Sequence, residues 1–177
     1  MADTKKPRLI VKDYRLFELE TIAAQALADA AACVRGRRVD VERLILEKFG
    51  LRIEAFYDLR RKWDTYAFID TKGQVIFVDA ALMDNVGLEK KYRFTLAEEL
   101  AHFLIHSNVF AACKTPEDRL RLEKQLDDQT RDNLESNARA LASAILMPKA
   151  TQQGLSAEVE TLRHRQTPAG GAEGRQV

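Results

Sequence analysis

The amino-acid sequence predicts an α+β fold, with a small antiparallel sheet of about three strands packed on a mainly helical core. Three observations lead there. Apolar residues recur at helical spacing before residue 50 and again after residue 94. Between those stretches the period shortens into β-branched and aromatic runs. The hydrophobic share, 46% of 177 residues, is enough for one buried core.

Each element has its own local reason. From about residue 13 to residue 33, Leu16, Leu19, Ala23, Ala26, Leu27 and Ala30 form one helical stripe in an Ala-rich segment. Gly36 and the Arg35, Arg37, Arg38 cluster end it. Asp40 then caps a short helix carrying Val41, Leu44, Ile45 and Phe49, with Gly50 as its stop. Residues 51–59, 66–70 and 74–79 read as strands, the last two joined by an Asp70-Thr-Lys-Gly73 hairpin turn. Helical spacing returns after Phe94 with Leu96, Leu100, Phe103 and Leu104, and Thr95-Leu-Ala-Glu98 has the form of a capping box at its start. Thr115-Pro116-Glu117-Asp118 opens a charged, surface-lying helix to about residue 128. A further helix runs from about residue 132 to 147, with Leu134, Ala138, Leu141 and Ile145 on one face and small residues that admit a close neighbour. The chain thus divides into a lead-in at 1–12, a domain at 13–148 and a polar tail at 149–177. That tail reads as disordered, with a helical turn around 157–163.

Charge excludes some classes of function. Against 28 basic residues stand 27 acidic ones, a net charge of +1, which argues against a polybasic nucleic-acid-binding arm and against an acidic solvating chain. Trp63 beside Arg60-Arg61-Lys62 offers a stacking surface, but in a balanced chain the run reads as a solvated face. There is no helix-turn-helix signature. No apolar run reaches the ~18–20 residues of a membrane span. The basic start is followed by no apolar stretch of secretory type, so the expected location is the cytoplasm, with Cys33 and Cys113 reduced and buried.

The chemistry concentrates in Arg93-Phe-Thr-Leu-Ala-Glu-Glu-Leu-Ala-His-Phe-Leu-Ile-His106. On a helix Glu98, His102 and His106 follow at i, i+4, i+8, with Glu99 three residues before His102. The string Glu98-Glu99-x-x-His102 is one letter from H-E-x-x-H, in which two His grip Zn²⁺ and the Glu activates its water. The segment resembles the R-F-T-x-A-H-E-x-G-H motif of the ImmA/IrrE family of metallo-endopeptidases. Glu135-Ser-Asn-Ala-Arg-Ala-Leu-Ala-Ser-Ala-Ile-Leu-Met-Pro148 is similar to that family's E-x-E-A-N-x-F-A-x-x-L-L-M-P. Val39 to Gly50 looks like the short helix that opens many such domains. The resemblance covers roughly residues 15–148.

The resemblance implies a zincin-like, thermolysin-like minimal core, a bound zinc or other divalent metal, and a repressor or other regulatory protein as target, often one linked to phage or mobile elements. Carried over by position, it implies Glu99 as the catalytic base and Glu98, His102 and Glu135 as metal ligands. The departures are that Glu98 stands where the first zinc histidine belongs, and that of the two acids in the second motif only Glu135 remains, Asn137 replacing the other. A one-His, two-carboxylate set would favour Mn²⁺- or Mg²⁺-like ions over zinc and weaken hydrolysis.

Plainer readings stand beside these roles. Glu98 could belong to the capping box with Thr95. Glu99 and His102 could be a polar helix pair. His106 reads as an imidazolium at the helix C-terminus. Glu135 has Arg131 and Arg139 each four residues away, and Asn137 could hydrogen-bond across to the first helix. If Glu98, Glu99 and Glu135 meet without a cation, their pKa values rise and either a bound proton or a protonated His102 must relieve them. Two functions follow: a metallopeptidase with a modified site, or a metal-free pseudo-peptidase that binds a regulator or a toxin–antitoxin partner. Neither involves direct nucleic-acid or membrane binding.

Overall fold

A computed structural model describes residues 11–36, 38–72, 74–113 and 115–149. The expected lead-in up to residue 10, Gly73, and the tail from residue 150 with its helical turn and His164 lie outside the described residues.

Helix α1 (Leu16–Leu27) opens where the Glu18 carboxylate accepts from the Arg15 backbone N–H at 2.9 Å. A two-stranded antiparallel ribbon follows, β1 (Val34–Arg35) and β2 (Arg38–Val39), turning at Gly36 with φ +58°. Asp40 caps α2 (Val41–Arg43) by accepting from the Arg43 N–H at 3.1 Å. α2 runs on as a π turn over Leu44–Lys48, burying Leu44 and Ile45 completely. Gly50 then reverses the chain at φ +63°.

Next come β3 (Arg52–Phe56), the short α3 (Leu59–Trp63), β4 (Ala67–Asp70), β5 (Val75–Asp79) and the short α4 (Ala80–Met83). The three strands appear at the expected places, although the first ends at Phe56 and Leu59 already opens α3, and the sheet is mixed, not antiparallel. β4 and β5 form the expected antiparallel hairpin, whereas β3 runs parallel to β5, in the order β3-β5-β4. The reason is the connection. α3 carries the chain past one strand position, so β4 lands two places from β3 and β5 returns into the gap. One face of the sheet, with Ala67, Ile69, Ile76 and Val78, enters the main core. The other holds an aromatic cluster of Phe56, Trp63, Phe68 and Phe77, in which Phe68 and Phe77 stack at 5.0 Å.

Three further helices complete the described residues: α5 (Glu89–Phe110), α6 (Pro116–Gln125) and α7 (Asp128–Leu146). α5 starts six residues before Thr95, because nothing between Glu89 and Thr95 breaks a helix. Thr95 and Glu98 therefore sit inside α5, and the capping-box reading of Glu98 is overturned. At α6 the Thr115 hydroxyl and the Asp118 carboxylate do cap reciprocally, both at 3.2 Å. α7 begins earlier than its apolar stripe suggests, because Asp127 caps it through the Thr130 N–H at 2.9 Å. Leu96, Ala97, Leu100 and Ala101 of α5 pack against Ala138, Leu141, Ala142 and Ile145 of α7, with Leu19 and Ala23 of α1 alongside. The small residues at this seam let the helix axes approach closely. Cys33 and Cys113 are both free and buried, as expected. Among the described residues no helix is long and apolar enough to cross a membrane.

Candidate active-site region

The seam between α5 and α7 carries the chemistry. Twenty-two helical residues put Glu98, Glu99, His102 and His106 on adjoining turns of α5, and α7 brings Glu135 and Arg139 opposite. His102 Nε2 lies 3.7 Å from Glu135 Oε1, so the two motifs do meet in space. Arg139 Nε lies 3.3 Å from Glu98 Oε1, and its terminal nitrogen 3.7 Å from Glu135 Oε2. One guanidinium therefore bridges the two carboxylates named as metal ligands. Asn137 stands aside from this group. It is buried and donates to the Lys12 carbonyl at 3.0 Å, tying α7 to the segment that leads into α1.

His106 departs from expectation. α5 continues a full turn beyond it, to Phe110, and His106 is buried in the helix interior, not displayed at a C-terminus. Its Nδ1 lies 3.0 Å from His102 Nδ1. Burial lowers both imidazoles, His106 to about 4 and His102 well below its usual value, with the Arg119 charge adding to the effect. Both rings are neutral near pH 7, so one Nδ1–H donates and the other nitrogen accepts. The surroundings select which. If His106 donates, its Nε2, which has no hydrogen-bond partner among the described residues, is a bare lone pair and not an orphaned N–H. His102 then carries its proton on Nε2, facing the Glu135 carboxylate. The opposite choice would orphan the N–H of His106 and aim a lone pair of His102 at a carboxylate.

Glu99 lies deepest. It is 7% exposed, and its Oε2 has no hydrogen-bond partner among the described residues. Burial pushes its pKa up to about 8, against the pull of Arg119. Burial also raises Glu98 and Glu135, each with a neighbouring carboxylate adding to the rise. Burial is the first cause of the rise at all three carboxylates, which is largest at Glu99, and His102, itself lowered by burial, is not the protonated partner that would relieve it.

A residue that sequence reasoning passed over completes the region. Arg119 of α6 is 4% exposed, forms an ion pair with Glu123 and lays its guanidinium 3.3 Å over the Phe110 ring. Phe110 in turn meets His102 and His106 edge-on, at 5.6 and 6.5 Å. In the sequence, Arg119 and Glu123 look like any i, i+4 pair on a charged surface helix, and no pattern there marks the arginine as inward.

These donors do not fit zinc. The ion takes four ligands, mostly imidazole and thiolate. Here one imidazole, that of His102, faces Glu135, and both carboxylates already engage a guanidinium. Among the described residues no group of three or more His, Cys, Asp or Glu is arranged to hold a metal ion. A cation brought here would also meet the positive charges of Arg119 and Arg139.

A search of curated proteins returned no match. A model of the IrrE N-terminal-like domain, peptidase family M78, matches residues 43–167, more than half of the chain, including both motif helices and the sheet. With its α+β architecture and its E-E-x-x-H helix packed on the helix that carries Glu135, the chain belongs to the IrrE N-terminal-like, metallopeptidase-related family.

Proposed function

We propose that this chain is a metal-free relative of the family's peptidases, a cytoplasmic protein-binding module that acts on a repressor or other regulatory protein. The observation that carries the reading is Arg139, whose guanidinium joins Glu98 to Glu135 and supplies the positive charge those carboxylates need. Burial raises Glu99 and lowers both imidazoles, so these three groups add no net charge beside that ion-paired set near pH 7. Binding without cutting fits a fold whose relatives accommodate protein substrates. The exposed face of α6, with Glu117, Arg121 and Lys124, is one surface available to such a partner.

Elemental analysis of protein purified without chelator tests the reading. The expected result is trace metal, unchanged after incubation with Zn²⁺ or Mn²⁺. A stoichiometric ion removable by EDTA would sink it. The substitution Glu98→His, which restores the family histidine, should confer little zinc affinity while Arg139 is present. Combined with Arg139→Ala, it should confer more.

One observation favours a second reading, a weak peptidase with a divalent ion at Glu98, His102 and Glu135 and with Glu99 as base. Glu99 Oε2 is buried without a hydrogen-bond partner among the described residues, an arrangement that a purely structural carboxyl does not require. On that reading Glu99→Gln abolishes peptide cleavage while leaving metal content intact.

A further inference from the structure

The outward face of α1 carries no charge. Phe17, Thr21, Ala24 and Ala28 follow at intervals of four, three and four, which keeps them on one side of the helix, and all four are exposed. Phe17 is 60% exposed and Leu16 beside it 64%. The opposite face, with Leu19, Ala23 and Ala26, is already buried. α1 therefore has two apolar faces, where a helix at a protein surface needs one. Beside the outward face, α1 and α7 leave an apolar groove of about 900 Å³, lined by Leu27 and Val34 and by Ala140 and Ala144 of α7.

Two observations name a second copy of the chain as the occupant. The first is size. The large residue, Phe17, stands near the start of the helix and the small ones, Ala24 and Ala28, near its end. An antiparallel α1 brought up about a two-fold axis sets Phe17 of each copy over Ala28 of the other, and Thr21 over Ala24.

The second is charge. Arg15 at the start of α1 and Asp29 just past its end are both exposed, and neither has an ion-pair partner among the described residues. Lys48, another charge at the far end, is turned onto the Gln25 and Ala28 carbonyls. Glu20, on the groove side, is held by Lys149 at 2.6 Å. The antiparallel approach brings Arg15 of each copy beside Asp29 of the other, once at each end. A parallel approach would set like charge on like.

We propose that this face of α1 joins two copies of the chain, α1 against α1 in antiparallel register about a two-fold axis. The contact is small, so the dimer is weak and reversible.

Sedimentation equilibrium on the full chain tests this. The mass should rise with concentration towards that of two chains. Phe17→Glu should hold it at one chain, and so, independently, should Ala24→Glu. Both positions are exposed, and thermal melting checks that the fold persists. Arg15→Gln and Asp29→Asn should each raise the dimer dissociation constant about two- to tenfold. Asn tolerates the positive φ of 59° at position 29. Combined, the two should raise it no further than either alone, because each removes the same pairs. A single-chain mass at every concentration up to about 1 mM would overturn the proposal. A dimer that persists in both Glu variants would overturn it by assigning association to another face. No loss at Arg15 and Asp29, or losses that add, would overturn the antiparallel register.

Discussion

Glu99 and the two histidines share one environment and respond to it with opposite signs. A carboxyl is neutral when protonated and an imidazole when deprotonated, so the same burial raises the first and lowers the second. The sign for stability follows. Folded Glu99 keeps its proton up to about pH 8, whereas its ordinary value is 4.5. Its contribution is full below pH 4.5 and is lost as pH rises through 8. Glu99→Gln cannot titrate. Urea unfolding should therefore show the variant gaining on the parent between pH 5 and 8, by up to about 1.4 kcal/mol per pH unit. For His106 the order reverses, because its folded value is about 4 against 6.5. Its contribution is full above pH 6.5 and drains as pH falls through 4, so Glu99→Gln should retain an acid-side loss of stability. The tautomers give a sharper test of geometry. Nitrogen-15 NMR of labelled histidine should find His102 in the Nε2–H form and His106 in the Nδ1–H form. The reverse assignment would mean that the Glu135 carboxylate does not orient the pair.

At the scale of single elements, caps decide where the helices begin, and the helix starts decide what each site residue can do. The Asp127 side chain accepts from the Thr130 N–H and, at 2.7 Å, from its hydroxyl. Asp127→Ala should cost about 1 kcal/mol in chemical denaturation. By contrast, Asp128→Ala, at a side chain 92% exposed, should change stability by about 0.5 kcal/mol or less. An equal loss in both variants would point to general helix charge and not to the cap. The α5 boundary shows why local motifs mislead. Thr95-x-x-Glu98 satisfies a capping pattern, yet the five residues Lys90–Phe94 before it are all helix-compatible, and tertiary packing extends α5 back to Glu89. Pro116 lets no such extension occur at α6, where the cap read from sequence stands. The sheet teaches the same lesson. Runs such as Val75-Ile-Phe-Val78 mark a strand wherever it pairs, but the partner depends on a connection whose path no single run records.

For the molecule as a whole, the α1–α5–α7 seam is the largest shared core, and the catalytic-type region lies along its edge. Leu141 is fully buried there, so Leu141→Ala should lower unfolding free energy by about 2–5 kcal/mol in one cooperative transition. A much smaller loss, or a second transition, would mean that the helical seam and the sheet unfold separately. The sequence by itself determined the α+β class, the three strand positions, the apolar faces of α1 and α7 and the family, because each is written in local periodicity or in a contiguous motif. It also brought Glu98, Glu99, His102 and Glu135 forward as one group. Only the tertiary structure decided that Arg139 bridges two of those carboxylates, that Arg119 turns inward onto Phe110, that His106 is a buried neutral partner of His102, and that β3 runs parallel to β5. Those outcomes depend on which helix faces which. Charge balance and burial at a site are sums over neighbours distant in sequence, and no single segment carries them.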